Sequence, residues 1–140
     1  MCIRDRRGND GSCVLKVSGP GGRVLIPGDA ERRAESTMLD RDRTALRAEV
    51  LVVPHHGGRQ SSTGSFLDAV SPAYALIASG YGNRFGFPHE EVIHRLAARR
   101  VPTFDTGGEG ALSLVIDARQ GVQSPRRERI ADARIWRARP

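Results

Sequence analysis

Apolar residues in this chain fall into short runs cut off by glycine, proline or charge, and most runs have the length of a strand. Cys13-Val-Leu-Lys-Val17 and Arg23-Val-Leu-Ile26 read as two strands joined through the hairpin-like turn Ser18-Gly-Pro-Gly-Gly22. Glu49 to Val53 is a third strand, and Ala73 to Ala78, nearly continuously apolar, is a fourth that is buried on both faces. Helical stretches lie between them. One runs from Ala30 to about Leu39 with Asp29 placed as its N-cap, and one from Ser62 to Val70, ended by Ser71-Pro72. Pro88 suits the first position of a helix to Arg100 whose apolar side carries Val92, Ile93, Leu96 and Ala97. Val101 to Phe104 and Ala111 to Ile116 are the last strands. Strands alternating with helices predict an α/β sandwich in which helices cover the sheet. The first strand pair lacks partners that a complete domain would supply.

Composition changes this picture little. A chain of 140 residues is one domain or part of one, and 39% apolar content with 16 glycines and 8 prolines predicts a modest core and many tight turns. No apolar run approaches the ~20 residues needed to cross a bilayer, and no signal peptide is visible, so the chain as given reads as soluble. Cys2 and Cys13 form no metal or redox spacing, and a disulfide framework needs more than two cysteines. The net charge of +6 fits attraction to phosphate backbones. Only Lys16 among the 22 basic residues is lysine, so an arginine-biased genome accounts for much of that charge. Residues 118–140 are rich in arginine and read as a basic flexible tail. Met1-Cys-Ile-Arg-Asp-Arg6 has the character of a translated sequencing adapter, so residues 1–7 read as a non-native start.

The chemistry gathers at strand ends. Val50-Leu-Val-Val53 runs into Pro54, the histidines His55 and His56, then Gly57, Gly58, Ser61 and Ser62. Arg23-Val-Leu-Ile-Pro-Gly-Asp29 delivers a carboxylate in the same manner. A carboxylate and imidazoles at strand tips suit a hard or borderline cation such as zinc or manganese. Asp29 serves equally as a helix cap, and the two roles are compatible. Adjacent histidines point in different directions, so one binds metal while the other orients substrate or moves a proton. Ser61 and Ser62 either donate to a phosphate or cap the next helix, and capping suits Ser62 better. In Ser79-Gly-Tyr-Gly-Asn-Arg-Phe-Gly-Phe-Pro-His89, Asn83 and Arg84 suit a phosphodiester. Tyr81, Phe85 and Phe87 either stack on a base or pack the loop onto the core.

Taken in order, these pieces resemble the C-terminal half of a metallo-β-lactamase-fold domain, and more narrowly that of ComEC-type DNA-internalisation competence proteins. The resemblance rests on Val24-Leu-Ile-Pro-Gly-Asp29, Pro54-His-His-Gly57, Ser61-Ser62, Asn83-Arg-Phe-Gly-Phe-Pro-His89 and Gly110-Ala-Leu-Ser-Leu-Val-Ile116. The resemblance covers residues 8–117.

The resemblance implies part of an αββα sandwich with two divalent ions, zinc or manganese, in the complete domain. Asp29 and His56 would be metal ligands, His55 would face the substrate phosphate as the catalytic histidine, and Ser61, Asn83 and Arg84 would bind substrate. The His-x-His-x-Asp-His motif of the superfamily is absent here and is expected upstream, so this fragment alone is expected to be inactive. The implied parent is a hydrolase of the bacterial cytoplasmic membrane, held there by upstream segments. Its domain faces outward and acts on single-stranded or duplex DNA beside other uptake-machinery proteins. The alternatives are a soluble hydrolase of the same fold acting on another phosphodiester or ester, and an inactive module that binds nucleic acid by charge.

Overall fold

Five strands lie side by side in sequence order in the computed structural model, which describes residues 8–131. They are β1 (Leu15–Gly19), β2 (Gly22–Ile26), β3 (Val50–Val52), β4 (Tyr74–Ile77) and β5 (Thr103–Asp105). β1 and β2 form an antiparallel hairpin with Leu15 opposite Ile26, and every later pairing is parallel. Helices α1 (Arg32–Asp42), α2 (Gly64–Val70) and α3 (Glu90–Ala98) connect the successive parallel strands.

Side chains alternate along a strand, so the register assigns the two faces. Leu25, Leu51 and Ala75 are paired neighbours on one face; Val24, Val50 and Tyr74 share the other. The first set joins Val53, Ile77, Ala34, Met38, Phe66, Leu67, Val92 and Leu96 in a single buried cluster. All three helices therefore cover the same side of the sheet.

Val50 and Phe104 are also buried, yet they lie outside that cluster. Their face is approached by the C-terminal segment: α4 (Thr106–Glu109), β6 (Leu112–Ser113), β7 (Ile116–Asp117), β8 (Gly121–Val122), β9 (Arg126–Arg127) and α5 (Glu128–Ala131). β6 pairs with β9 and β7 with β8. The Arg127 guanidinium lies 5.0 Å over the Phe104 ring. A Cβ placed on Gly22 would come within 2.7 Å of Val122 Cγ2, which shows how closely the β7–β8 pair approaches the β1–β2 turn. The architecture is a helix layer on a mixed sheet with the beginning of a second β layer, as expected of a partial αββα metallo-β-lactamase sandwich. β1 is the edge of the sheet, and Leu15 and Val17 are 55% and 52% exposed there.

Several expectations need correction. Within the segment 118–140 expected as a basic flexible tail, residues 118–131 carry β8, β9 and α5, and their arginines find partners such as Phe104 and Glu109. Residues 1–7 and 132–140 lie outside the described residues. The run Ala111–Ile116 is split into two short strands, since Leu112 pairs with Arg127 and Ile116 with Val122. α1 begins two residues later than expected, with Glu31 rather than Asp29 at its N-cap. Thr63, not Ser62, occupies the N-cap of α2. Pro88 follows a cis peptide bond and precedes α3, whose N-cap is His89; its ring nitrogen accepts from Glu91 N at 3.2 Å. Cys13 is disulfide-bonded, a tie the cysteine spacing did not announce. Among the described residues no helix is long and apolar enough to cross a membrane.

Candidate metal centre

β2, β3 and β4 run parallel, so the loops that follow them leave the sheet at one edge, where open α/β sheets bind ligands. These loops bring Asp29, the histidine pair and the Ser79–Phe87 segment around a cavity of about 480 Å³, a size suited to a small ligand. Gly28 (φ 62°) makes the turn that lifts Asp29 off β2. The Asp29 amide donates to Ser12 Oγ at 3.1 Å, which leaves the carboxylate facing the cavity.

The histidine turn is strained. His55 (φ 50°, ψ 40°) and His56 (φ 55°, ψ 20°) are consecutive non-glycine residues in the left-handed region, a conformation that costs roughly 1–2 kcal/mol per residue. Surrounding bonds hold it. His55 N donates to Gly28 O at 3.0 Å, Gly58 N to His55 O at 2.8 Å, and His89 N to Gly57 O at 2.9 Å. Both imidazoles line one cavity, although adjacent histidines are expected to point in different directions. Their contacts still differ.

His56 Nδ1 sits 2.7 Å from Ala78 O. Donating there, the ring leaves its Nε2 lone pair free, 3.8 Å from Asp29 Oδ1. A carbonyl that fixes the far nitrogen is the support metal-ligating histidines use. Both side chains are about half exposed, so a cation can reach them. The donor pair fits a divalent ion of the zinc or manganese type. Among the described residues no group of three or more His, Cys, Asp or Glu is placed to hold a metal, and tight sites use three or four ligands.

His55 has different partners. Its Nδ1 lies 3.0 Å from Glu31 Oε1, close enough to interact but outside hydrogen-bond alignment, and Nε2 lies 3.4 Å from Asn9 Nδ2. Asn9 Nδ2 also donates to Glu31 Oε1 at 3.1 Å. Asn9, Glu31 and His55 thus form one polar group beside the His56–Asp29 pair.

A family model for the Metallo-beta-lactamase superfamily matches residues 8–81, more than half of the chain. The chain belongs to the metallo-beta-lactamase superfamily. Within it, the expected likeness to competence proteins is met. The chain is 39% identical over 118 residues to "Competence protein ComA" of Neisseria gonorrhoeae, covering 84% of this chain and 17% of that protein. It is 40% identical over 109 residues to "Recombination protein 2" of Haemophilus influenzae, covering 78% and 14%. It is 28% identical over 116 residues to "ComE operon protein 3" of Bacillus subtilis, covering 83% and 15%. The chain therefore spans less than a fifth of the length of these curated relatives.

In this superfamily member the other expected site residues fare unevenly. Ser61 was expected to bind substrate. It is fully buried, and its hydroxyl donates between Pro54 O and Gly58 O, 2.9 and 2.8 Å away, so it braces the histidine turn from behind. Asn83 lines the cavity, but its amide is spent on the loop: Nδ2 donates to Phe87 O at 2.7 Å and Gly80 O at 3.1 Å, and Oδ1 accepts from Phe87 N at 3.0 Å. Arg84 is exposed at the rim, its guanidinium 5.1 Å over the Phe85 ring.

Sequence reasoning missed Glu31, Glu35 and Arg95. Glu35 is fully buried and accepts from Ser62 N and Thr63 N. Burial pushes its carboxyl pKa up, opposed by the hydrogen bonds from Thr63 and Ser62 and by the charge of Arg95. Arg95 donates to Ser61 O at 2.7 Å and Ser62 O at 3.2 Å. One signal was available: Glu35 sits on the α1 stripe made by Ala34 and Met38, where a charge needs a partner.

Proposed function

We propose that this chain is part of a phosphodiester hydrolase domain that processes DNA during its uptake in natural transformation. The observation that carries the chemistry is His56, anchored through Nδ1 to Ala78 O with Nε2 turned toward Asp29. The biological setting comes from relatives named for competence and recombination.

Asp29 and His56 would hold a divalent ion. When bound, such an ion supplies Lewis acidity at a phosphoryl oxygen and favours ionisation of water. The remaining donors of a tight site, and the second ion, would come from residues that the described part of the chain does not provide.

His55 is the proton-handling residue in this reading. Glu31 beside Nδ1 favours a proton there, so Nε2 is the nitrogen that accepts. Asn9 Nδ2 now faces that nitrogen, and a substrate oxygen or water that displaces Asn9 would meet it. Arg84, exposed at the rim, supplies positive charge to a phosphate rather than a fixed contact. The substrate is DNA. The parent protein lies in the cytoplasmic membrane with this domain on its outer side, working beside other uptake proteins.

The test is manganese binding read by electron paramagnetic resonance. The chain is expected to bind an ion that Asp29→Asn and His56→Ala each release, and the bound ion is expected to broaden the phosphorus resonance of added dimethyl phosphate. Binding unchanged in both variants would sink the site; binding without broadening would sink the phosphodiester substrate. The two-donor set favours one rival, an inactive module that holds nucleic acid by charge. Such a module would lose affinity steeply with salt and gain none from manganese.

A further inference from the structure

Four planar groups stand in a row that leads out of the cavity. The His56 ring stacks on Phe87 with centroids 6.4 Å apart and planes 26° apart. Phe87 stacks on Phe85 at 5.8 Å and 23°. The Arg84 guanidinium covers Phe85 from outside at 5.1 Å. His55 meets the edge of Phe87 at 5.5 Å. The row begins at the candidate metal ligand and ends in solvent, for Phe85 is 66% exposed.

A phenylalanine there does not serve the core. The loop that carries it is closed without it, because the Asn83 amide clamps Gly80 to Phe87. Nor does the loop crowd the ring. Gly82 and Gly86 have positive φ and open space where a Cβ would stand, so a ligand can approach the backbone on this side. The aromatic surface is therefore held in place in advance, next to a polar site, with one face covered by the exposed Arg84 guanidinium.

We infer that Phe85 and Phe87 form a stacking shelf for a nucleobase, and that the cavity takes single-stranded nucleic acid. The inference rests on the phosphodiester reading of the same site and names its substrate class. A base in a duplex has both faces covered by its neighbours; only an unpaired base can lie on Phe85. Stacking a base is worth more than an exposed cation–π contact, so the base displaces Arg84. The freed guanidinium then reaches a phosphate of the same strand. Phe85 stands two ring spacings from His56, so the stacked base belongs to a nucleotide flanking the phosphate at His56 and Asp29.

The test is fluorescence anisotropy on the 140-residue chain with three labelled probes: a short oligothymidylate, an abasic strand of equal length and charge, and the corresponding duplex. The oligothymidylate is expected to bind about tenfold more tightly than the abasic strand, the scale of one stacked base. Phe85→Ala is expected to erase that preference, Phe85→Trp to keep it, and the duplex to respond to neither substitution. Circular dichroism checks that the variants fold, which an exposed ring permits. Equal binding of the two single strands, or a preference that survives Phe85→Ala, would overturn the shelf. Manganese-dependent binding of the abasic strand reports separately on Asp29 and His56. If it is absent while the base preference persists, the phosphodiester reading fails and the shelf stands. Binding of no strand at all overturns both.

Discussion

Glu35, in the first turn of α1, accepts a hydrogen bond from the backbone amide of Thr63 at 2.9 Å and another from Ser62, and so caps α2 with a side chain from a different helix. Arg95 of α3 grips the carbonyls of Ser61 and Ser62 from the other side. Three helices therefore meet on the loop that follows the histidine turn. A strained turn needs such support, since two left-handed histidines persist only where the surroundings over-determine them.

The buried carboxyl gives this support a pH dependence. Burial raises the Glu35 pKa above its ordinary value of 4.5. A group whose folded pKa is raised favours folding most below its unfolded pKa, and that contribution is lost as pH rises through the folded value. Glu35→Gln removes the titration and keeps an acceptor. Wild type is expected to lose stability relative to Glu35→Gln as pH rises above 4.5. Glu35→Ala, which orphans two buried amides, is expected to be destabilised by on the order of 3 kcal/mol below pH 4.5, a gap that narrows as pH rises. Urea unfolding across this range measures both; a constant gap between wild type and Glu35→Gln would show that the carboxyl does not titrate differently in the fold.

The histidine turn makes a sharper comparison. At a left-handed position glycine escapes the Cβ penalty that alanine bears. His56→Gly is expected to be more stable than His56→Ala by about 1 kcal/mol, while both lose manganese binding equally. Thermal unfolding of the pair measures the difference. If alanine proves the more stable of the two, the left-handed conformation of His56 is wrong.

Much of this arrangement was legible in the chain, and the limits have physical causes. β2, β3 and β4 announced themselves because buried parallel strands are nearly continuous apolar runs, and the residues just after them, Asp29 and His56, are where such sheets bind ligands. The left-handed histidine turn could not be read, since local preference argues against it and only tertiary bonds such as His55 N to Gly28 O impose it. β8 and β9, two residues each, carry no period to detect, and arginines that look solvated turn out to cover Phe104. The bonds of Asn83 follow a general habit: asparagine in a glycine-rich loop commonly bonds its own backbone, as it does here to Gly80 and Phe87.

Ser61 separates bracing from binding. Its buried hydroxyl touches Pro54 and Gly58, and no ligand can reach it without unfolding the turn. Ser61→Ala is expected to destabilise the chain by about 1–2 kcal/mol and to weaken manganese binding. The bare chain's salt-dependent attraction to phosphate should be unaffected. Calorimetric titration with manganese and, separately, with an abasic strand lacking metal distinguishes the two. A loss of metal-free strand binding in a variant that remains folded would restore Ser61 to the substrate.

The acid limit of the fold belongs to a different pair. Glu49, just ahead of β3, accepts three bonds from Arg23 of β2: from the backbone amide at 2.7 Å, from Nε at 3.1 Å and from Nη2 at 2.6 Å. The Arg23 hydrogen bonds hold the Glu49 pKa down to about 2, although partial burial of the carboxylate pushes it up. A depressed carboxyl pKa contributes stability above the unfolded value of 4.5 that is lost as pH falls toward 2. The sign is opposite to that of Glu35, and the two effects act on opposite sides of pH 4.5. Both side chains of the pair are about one third exposed, so salt screens the interaction and its net worth is modest. Glu49→Gln is expected to flatten the acid limb of the stability curve between pH 4.5 and 2, leaving the Glu35 gain on acidification toward pH 4.5 in place. The double variant Glu35→Gln, Glu49→Gln should lose both trends. Asp29 follows the end of β2 and His56 follows the end of β3, so a pair that ties these strands together also sets the spacing of the metal donors. Manganese affinity measured at constant pH should therefore fall in Glu49→Gln even though Glu49 lines no part of the cavity. Unchanged affinity would mean that the sheet hydrogen bonds alone fix that spacing.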